Sequence, residues 1–215
     1  IKINNKMMKQ IKITKYEQNC IAIEIGDTEY YVLDPGSEVS IDKLPSSKEV
    51  TAAFVSHSHP DHYNVENLKA LNCPIFGAKE VADGLSLEGV NATELLNSKQ
   101  INIGLLKLTP FDVDHGPIST PIVNFGFNIK INDKSILYLG DIAIPSMIPT
   151  SKFDFMFIPV GGSKVFDASQ ALDFIKSIHY RGTVIPMHYH GRADRQSGAN
   201  FKELASTYCN VIVLD

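Results

Sequence analysis

The chain has 215 residues with 20 basic and 24 acidic side chains, a formal charge of −4 and 44% hydrophobic residues. A globular chain of this length buries about 70% of the surface it exposes unfolded, so it needs neither disulfides nor an obligate partner, and one domain over residues 1–215 is expected. The mild acidity and the lack of a basic block give no support to a general nucleic-acid binder, whose Lys and Arg must displace counterions from phosphates. No apolar run approaches the roughly 18 residues of a membrane span. Residues 1–11 are rich in Lys and Asn and carry no apolar stretch or cleavage site of a secretory signal. A soluble, cytoplasmic protein is the expectation, and the start at Ile1 suggests that a short leader is missing.

In chain order, strands are predicted over residues 11–16, 20–25 and 30–33, forming a meander with a turn at Gly26 and Asp27. Residues 51–55 read as a compact apolar strand. After a His-rich turn, Val65, Leu68 and Leu71 recur at helical spacing behind Asn64, which predicts a capped helix over 64–71. Residues 75–100 read as a short strand with one or two short helices. Further strands are predicted over 102–113, 122–132 and 135–139, the last two joined by a hairpin at Asn132 and Asp133. Then follow a strand over 155–160, a helix over 167–179, a strand over 183–187, a helix over 200–206 and a strand over 211–214. The class is mixed α/β, without a repeat period or a linker that would divide the chain.

Cys20, Cys73 and Cys209 are far apart and flanked by apolar residues, so they read as packing residues. The informative segment follows the strand over 51–55: Ser56, His57, Ser58, His59, Pro60, Asp61, His62, Tyr63. An HxHxDH string arises by chance in a chain of this composition about once in 2,000. His57 and His59, two apart in an extended segment, point to one side, while the Pro60 turn swings Asp61 and His62 the other way. One loop can thus serve two cations, yet its four groups cannot complete two coordination spheres. His or Asp follows an apolar strand at three further places: His115, Asp141 and His188. The carboxyl ends of strands line one crevice in α/β architectures, so these ligand types are expected to converge. His190, two residues from His188, is an alternative ligand at this stage.

These motifs resemble the metallo-β-lactamase-fold superfamily of metal hydrolases. Asp34 in Leu33-Asp34-Pro35-Gly36, the HxHxDH loop, His115, Asp141 and His188 occur in the family's order across residues 20–190. Ile185-Pro186-Met187-His188-Tyr189 and Pro159-Val160-Gly161-Gly162 resemble the compact bacterial metal-dependent hydrolases related to ascorbate-6-phosphate lactonase. One departure is that the third-motif His lies in Asp114-His115-Gly116, whereas many members have Gly-His-Thr. The resemblance implies an αββα sandwich of two mixed sheets flanked by helices. It implies that His57, His59 and His115 hold one divalent ion and Asp61, His62 and His188 a second, with Asp141 bridging and Asp34 steadying the loop. Zinc is the default metal, and manganese or iron fill similar spheres.

The implied activity is hydrolysis of a small ester, lactone or phosphoester by a hydroxide shared between the two ions, with Asp61, Asp141 and His190 as the catalytic candidates. Tyr189, His190, Arg192 and Arg195 are candidate contacts for an anionic small-molecule substrate, since Arg suits carboxylate or phosphate groups. Tyr63 and Ser56 adjoin ligands, and His179 sits where a cation suits a helix C-terminus. A phosphodiesterase or nuclease of the same fold, an iron-dependent oxygen or redox member and a metal-keeping sensor are the alternatives. A homo-oligomer fits the sequence equally well.

Overall fold

The computed structural model describes residues 2–5, 8–44, 49–117, 122–149, 152–190 and 197–214. Strands β1 (Lys2–Asn5), β2 (Met8–Lys15), β3 (Ile21–Ile25), β4 (Glu29–Leu33), β5 (Ala52–Val55), β6 (Ile75–Gly77) and β7 (Ala92–Glu94) form one seven-stranded sheet in chain order. The first four strands pair antiparallel, and β4 to β7 run parallel. The second sheet repeats this plan. Strands β8 (Ile101–Ile103), β9 (Leu106–Asp112), β10 (Phe125–Ile131) and β11 (Lys134–Tyr138) pair antiparallel, and β12 (Phe155–Pro159), β13 (Thr183–Met187) and β14 (Asn210–Val211) follow β11 in parallel.

Helices α1 (Val65–Leu71) and α2 (Lys79–Leu87) are the crossovers of the first sheet, and α3 (Ala168–Ser177) and α4 (Gly198–Ala205) those of the second. Their starts follow from local chemistry: the Asn64 side chain accepts from the Asn67 amide, and Asp167 with Gln170 closes a reciprocal capping box.

Both faces of each sheet are covered, which explains why successive residues of β3 and β5 are all buried. Ile21, Ile23, Ile25, Tyr31, Leu33 and Phe54 meet Phe127, Ile129, Tyr138, Phe157 and Ile185 between the sheets. The outer face of the first sheet packs Ala22, Val32 and Val55 against Leu68, Val81 and Leu85 of its helices. Leu139, Ile158 and Val184 of the second sheet pack in the same way against Ala171, Ile175 and Phe201. This is an αββα sandwich. Cys20 and Cys209 are buried, Cys73 is half-buried, and all three are free thiols.

The structure departs from the sequence reading in its short strands. Residues 102–113 are two strands, β8 and β9, because Gly104 turns the chain at a φ of +55°. The edge strands β1 and β7 were not anticipated, and β14 spans two residues where four were expected. Among the described residues, no helix is long and apolar enough to cross a membrane.

Candidate metal centre

Strands β4 and β5 of one sheet and β9, β11 and β13 of the other end at a common edge of the sandwich, as their shared ligand cluster requires. His57, His59, His115 and Asp141 form one group of potential ligands, and Asp61, His62, Asp141 and His188 form another. Within each group the ligand atoms all lie within 4.8 Å of one another, and Asp141 belongs to both.

His59 Nδ1 lies 3.0 Å from His57 Nε2 and 3.1 Å from His115 Nε2. Asp141 Oδ2 is 3.8 Å from His57 Nε2, 3.4 Å from His115 Nε2 and 3.4 Å from His188 Nε2. Asp141 Oδ1 lies 3.0 Å from His62 Nε2, while Asp61 Oδ2 is 3.7 Å from His62 Nε2 and 3.2 Å from His188 Nε2. Ligands held tetrahedrally at zinc distances of about 2.0–2.1 Å stand about 3.3 Å apart, and these separations bracket that value. The donor set of imidazoles and carboxylates therefore fits first-row divalent ions.

The loop geometry is set by buried groups behind it. Asp34 leaves β4 at a φ of +49°, and its carboxylate is fully buried. Oδ1 accepts from the Ser56 amide at 2.7 Å, and Oδ2 accepts from the Ser56 hydroxyl at 2.7 Å and from His62 Nδ1 at 2.8 Å. The Tyr138 hydroxyl reaches the same oxygen at 2.5 Å. His57 Nδ1 faces Ser56 Oγ at 3.0 Å. This network assigns a proton to Nδ1 of both His57 and His62 and turns both Nε2 atoms toward the ligand groups. Gly140, at a φ of +51°, precedes Asp141; a Cβ there would stand 2.8 Å from the Phe125 carbonyl oxygen, so only glycine lets the β11 end pass β10.

Electrostatics follow burial and charge. Burial pulls the His57 and His59 pKa values down, so both are neutral ligand-ready imidazoles at neutral pH. At His62 burial acts in the same direction, but Asp141 and Asp34 outweigh it and push the value up to about 10. Burial raises the Asp141 and Asp61 carboxyl values, yet the neighbouring His188 and His62 more than compensate and hold both below the usual carboxylate range.

The structure brings His57, His59, Asp61, His62, His115, Asp141 and His188 together, with Asp34 directly behind them. Of the two alternatives near the end of β13, His188 is the one in the cluster. His190 stands beside it at the rim, its Nδ1 3.3 Å from Glu17 Oε2 and from Lys15 Nζ. The Tyr189 hydroxyl donates to the Leu214 carbonyl, its ring lies under Lys15, and Tyr63 abuts Gly84 of α2. Arg192 and Arg195 lie outside the described residues. Arg181 is spent on Tyr208, stacking on its ring and donating to its carbonyl.

Sequence reasoning missed Asn19, whose Nδ2 donates to Asp141 Oδ1 at 2.7 Å, and Asn124, whose Nδ2 donates to the Asp141 carbonyl at 3.1 Å. It also missed Tyr138 behind Asp34 and the buried Lys15 at the rim. Only Tyr138 carried a usable signal, as a polar aromatic at the inward end of a strand leading to Asp141.

The fold and the His/Asp cluster define a metallo-β-lactamase-fold protein with a site able to hold metal. The sequence profile of the Beta-lactamase superfamily domain matches residues 12–188. A UPF0173 metal-dependent hydrolase of Listeria monocytogenes serotype 4b is 29% identical over 202 residues, covering 83% of this chain and 85% of the relative. Among solved structures, Igni18, a metallo hydrolase from the archaeon Ignicoccus hospitalis, superposes with a TM-score of 0.78 at 18% identity over 95% of each chain. The metallo-beta-lactamase fold protein YhfI from Bacillus subtilis gives 0.73 at 17% identity, covering 94% of this chain and 90% of that one. This chain belongs to the beta-lactamase superfamily domain family.

Proposed function

We propose that this chain is a metal-dependent hydrolase with two divalent ions, a single domain over residues 1–215 that acts on a small ester, lactone or phosphoester. The observation that carries the reading is the position of Asp141, whose carboxylate belongs to both ligand groups at once. Divalent ions held there would lower the pKa of a bound water toward about 7 and polarise the bond under attack. His57, His59 and His115 would hold the first ion and Asp61, His62 and His188 the second, with Asp141 between them. Zinc suits this donor set, and manganese and iron suit it as well.

The protein's own part is to fix these groups in a dry setting. Asp34 and Ser56 orient the imidazoles, and the buried Asp141 carboxyl stays ionised beside His188 and His62. His190, at the exposed rim next to Lys15, is the proposed proton donor or substrate contact. An anionic substrate group is proposed for the same side, facing Lys15 with Arg192 and Arg195 nearby in sequence. The relatives' names support the hydrolase reading, and the net charge of −4 favours a small molecule over nucleic acid. A cytoplasmic location completes the proposal.

The test is turnover of a simple lactone and a simple phosphodiester by protein reconstituted separately with zinc and manganese. Asp141→Asn is the blank, expected to fold, to lose turnover and to retain less metal. Full activity in that variant would refute the bridging role of Asp141.

A further inference from the structure

Asp141 can serve two cations only if its carboxylate plane is fixed, because rotation about its last bond carries Oδ1 away from His62. Oδ2 faces His57, His115 and His188, while Oδ1 faces His62. The Asn19 side chain meets that second oxygen. Its Nδ2 lies 2.7 Å from Asp141 Oδ1 and 3.4 Å from His62 Nε2, and the residue is fully buried. We infer that Asn19 is the residue that positions Asp141 for the second cation, an inference that rests on the two-cation reading.

The surroundings of Asn19 are built to hold it still. The turn before β3 is closed by the Tyr16 amide on the Cys20 carbonyl at 2.8 Å and the Cys20 amide on the Glu17 carbonyl at 3.1 Å, with Gln18 at a φ of +52°. The Asn19 carbonyl lies 2.9 Å from the Tyr138 hydroxyl, and the Gln18 carbonyl accepts from the His188 amide at 3.2 Å. One turn therefore reaches Asp141 through a side chain and His188 through the backbone.

The residue type also fits the task. A lysine in this place would compete with the cation for Asp141, and a carboxylate would compete with Asp141 for the cation. A neutral amide fixes the rotation and adds no charge. The terminal atom facing Asp141 must be the nitrogen, since two oxygens at that distance would repel. The Asn19 Oδ1 is then buried without a hydrogen-bond partner among the described residues. A packing residue would avoid that cost, and Asn19 bears it while donating to Asp141.

The experiment is cobalt titration of metal-free protein, followed by calorimetry and by the visible d–d bands, in wild type, Asn19→Leu and Asn19→Ala. Leucine keeps the volume and removes the donor; alanine tolerates any crowding the leucine brings. Asp61→Ala identifies which binding step belongs to the Asp61, His62 and His188 group. In the Asn19 variants that step is expected to weaken about 10- to 100-fold with altered bands, while the other changes less than threefold. A purely structural role would weaken both steps together and lower the metal-free melting temperature in proportion, which overturns the inference. So does a second step unchanged in both variants. A wild-type protein that takes up one equivalent removes the two-cation reading itself, and that result appears before any variant is measured.

Discussion

His62 Nδ1 and Asp34 Oδ2 stand 2.8 Å apart with neither side chain exposed to solvent. The pair ties the HxHxDH loop to the end of β4, and the same carboxylate takes the Ser56 amide and hydroxyl and the Tyr138 hydroxyl. Removing one partner of a buried pair leaves the other uncompensated, at a typical cost of about 3–5 kcal/mol. Asp34→Ala is expected to lose stability on that scale, and Asp34→Asn to present a donor to groups that are themselves donors. Both variants should bind metal about 10- to 100-fold more weakly, because His62 loses its orientation. Denaturant unfolding and metal titration check this, and wild-type affinity in both variants would remove Asp34 from the account.

Close approach of the backbone makes a second prediction. Gly36 packs against the HxHxDH loop so tightly that a Cβ would stand 2.0 Å from the Asp61 carbonyl carbon and oxygen and 2.5 Å from the His62 amide nitrogen. These are backbone atoms that cannot rotate aside. Gly36→Ala must therefore displace the loop, with an overpacking cost of at least about 1–3 kcal/mol. Metal uptake by the Asp61, His62 and His188 group should suffer more than uptake by the other group. A variant with both metal affinities intact would show that the loop can shift without cost to the site.

Much of this site is legible in the sequence because the candidate ligands of the loop are local. His57, His59, Asp61 and His62 sit on one turn, and His115, Asp141 and His188 each follow a recognisable strand. What stayed hidden depends on tertiary contact. Asn19 meets Asp141 across 122 positions, and nothing in the string Gln18-Asn19-Cys20 distinguishes it from an ordinary turn. The choice between His188 and His190 needed the turn at His188, whose φ of +53° aims one imidazole inward. Strand β7 escaped notice because its three residues are too few for a pattern: Ala92 is half-buried and Thr93 and Glu94 are exposed, with β6 as the pairing partner.

The raised His62 value has a consequence for stability in the absence of metal. Its folded-state pKa of about 10 exceeds the ordinary 6.5, so its contribution is fully present below 6.5 and is lost as pH rises through about 10. Asp141, held below 3.8, contributes in the opposite sense: its share is present above that value and is lost as pH falls. Between pH 6.5 and 8.5, metal-free protein should lose about 1 kcal/mol of stability per pH unit through His62. Urea unfolding of chelator-treated protein at several pH values measures this slope. A flat profile would mean that His62 is already neutral without metal.

Metal uptake should carry the proton that His62 holds on Nε2. In the metal-free protein at pH 7 the imidazolium lies between Asp34 and Asp141, whose charges stabilise it against burial. A cation in the second group needs the Nε2 lone pair, so the proton facing Asp141 must leave, while the Nδ1 proton stays on Asp34. His57 and His59 are already neutral, because burial has pulled them down, so neither must give up a charge to bind. The two binding steps should therefore differ: affinity in the Asp61, His62 and His188 group rises at least about tenfold per pH unit between 7 and 9, more steeply than affinity in the other group. Calorimetry of the same titration in buffers of different ionisation enthalpy counts the protons directly. More protons released in the Asp61, His62 and His188 step than in the other is the expected result, and equal release in both would place the charge on another imidazole than His62.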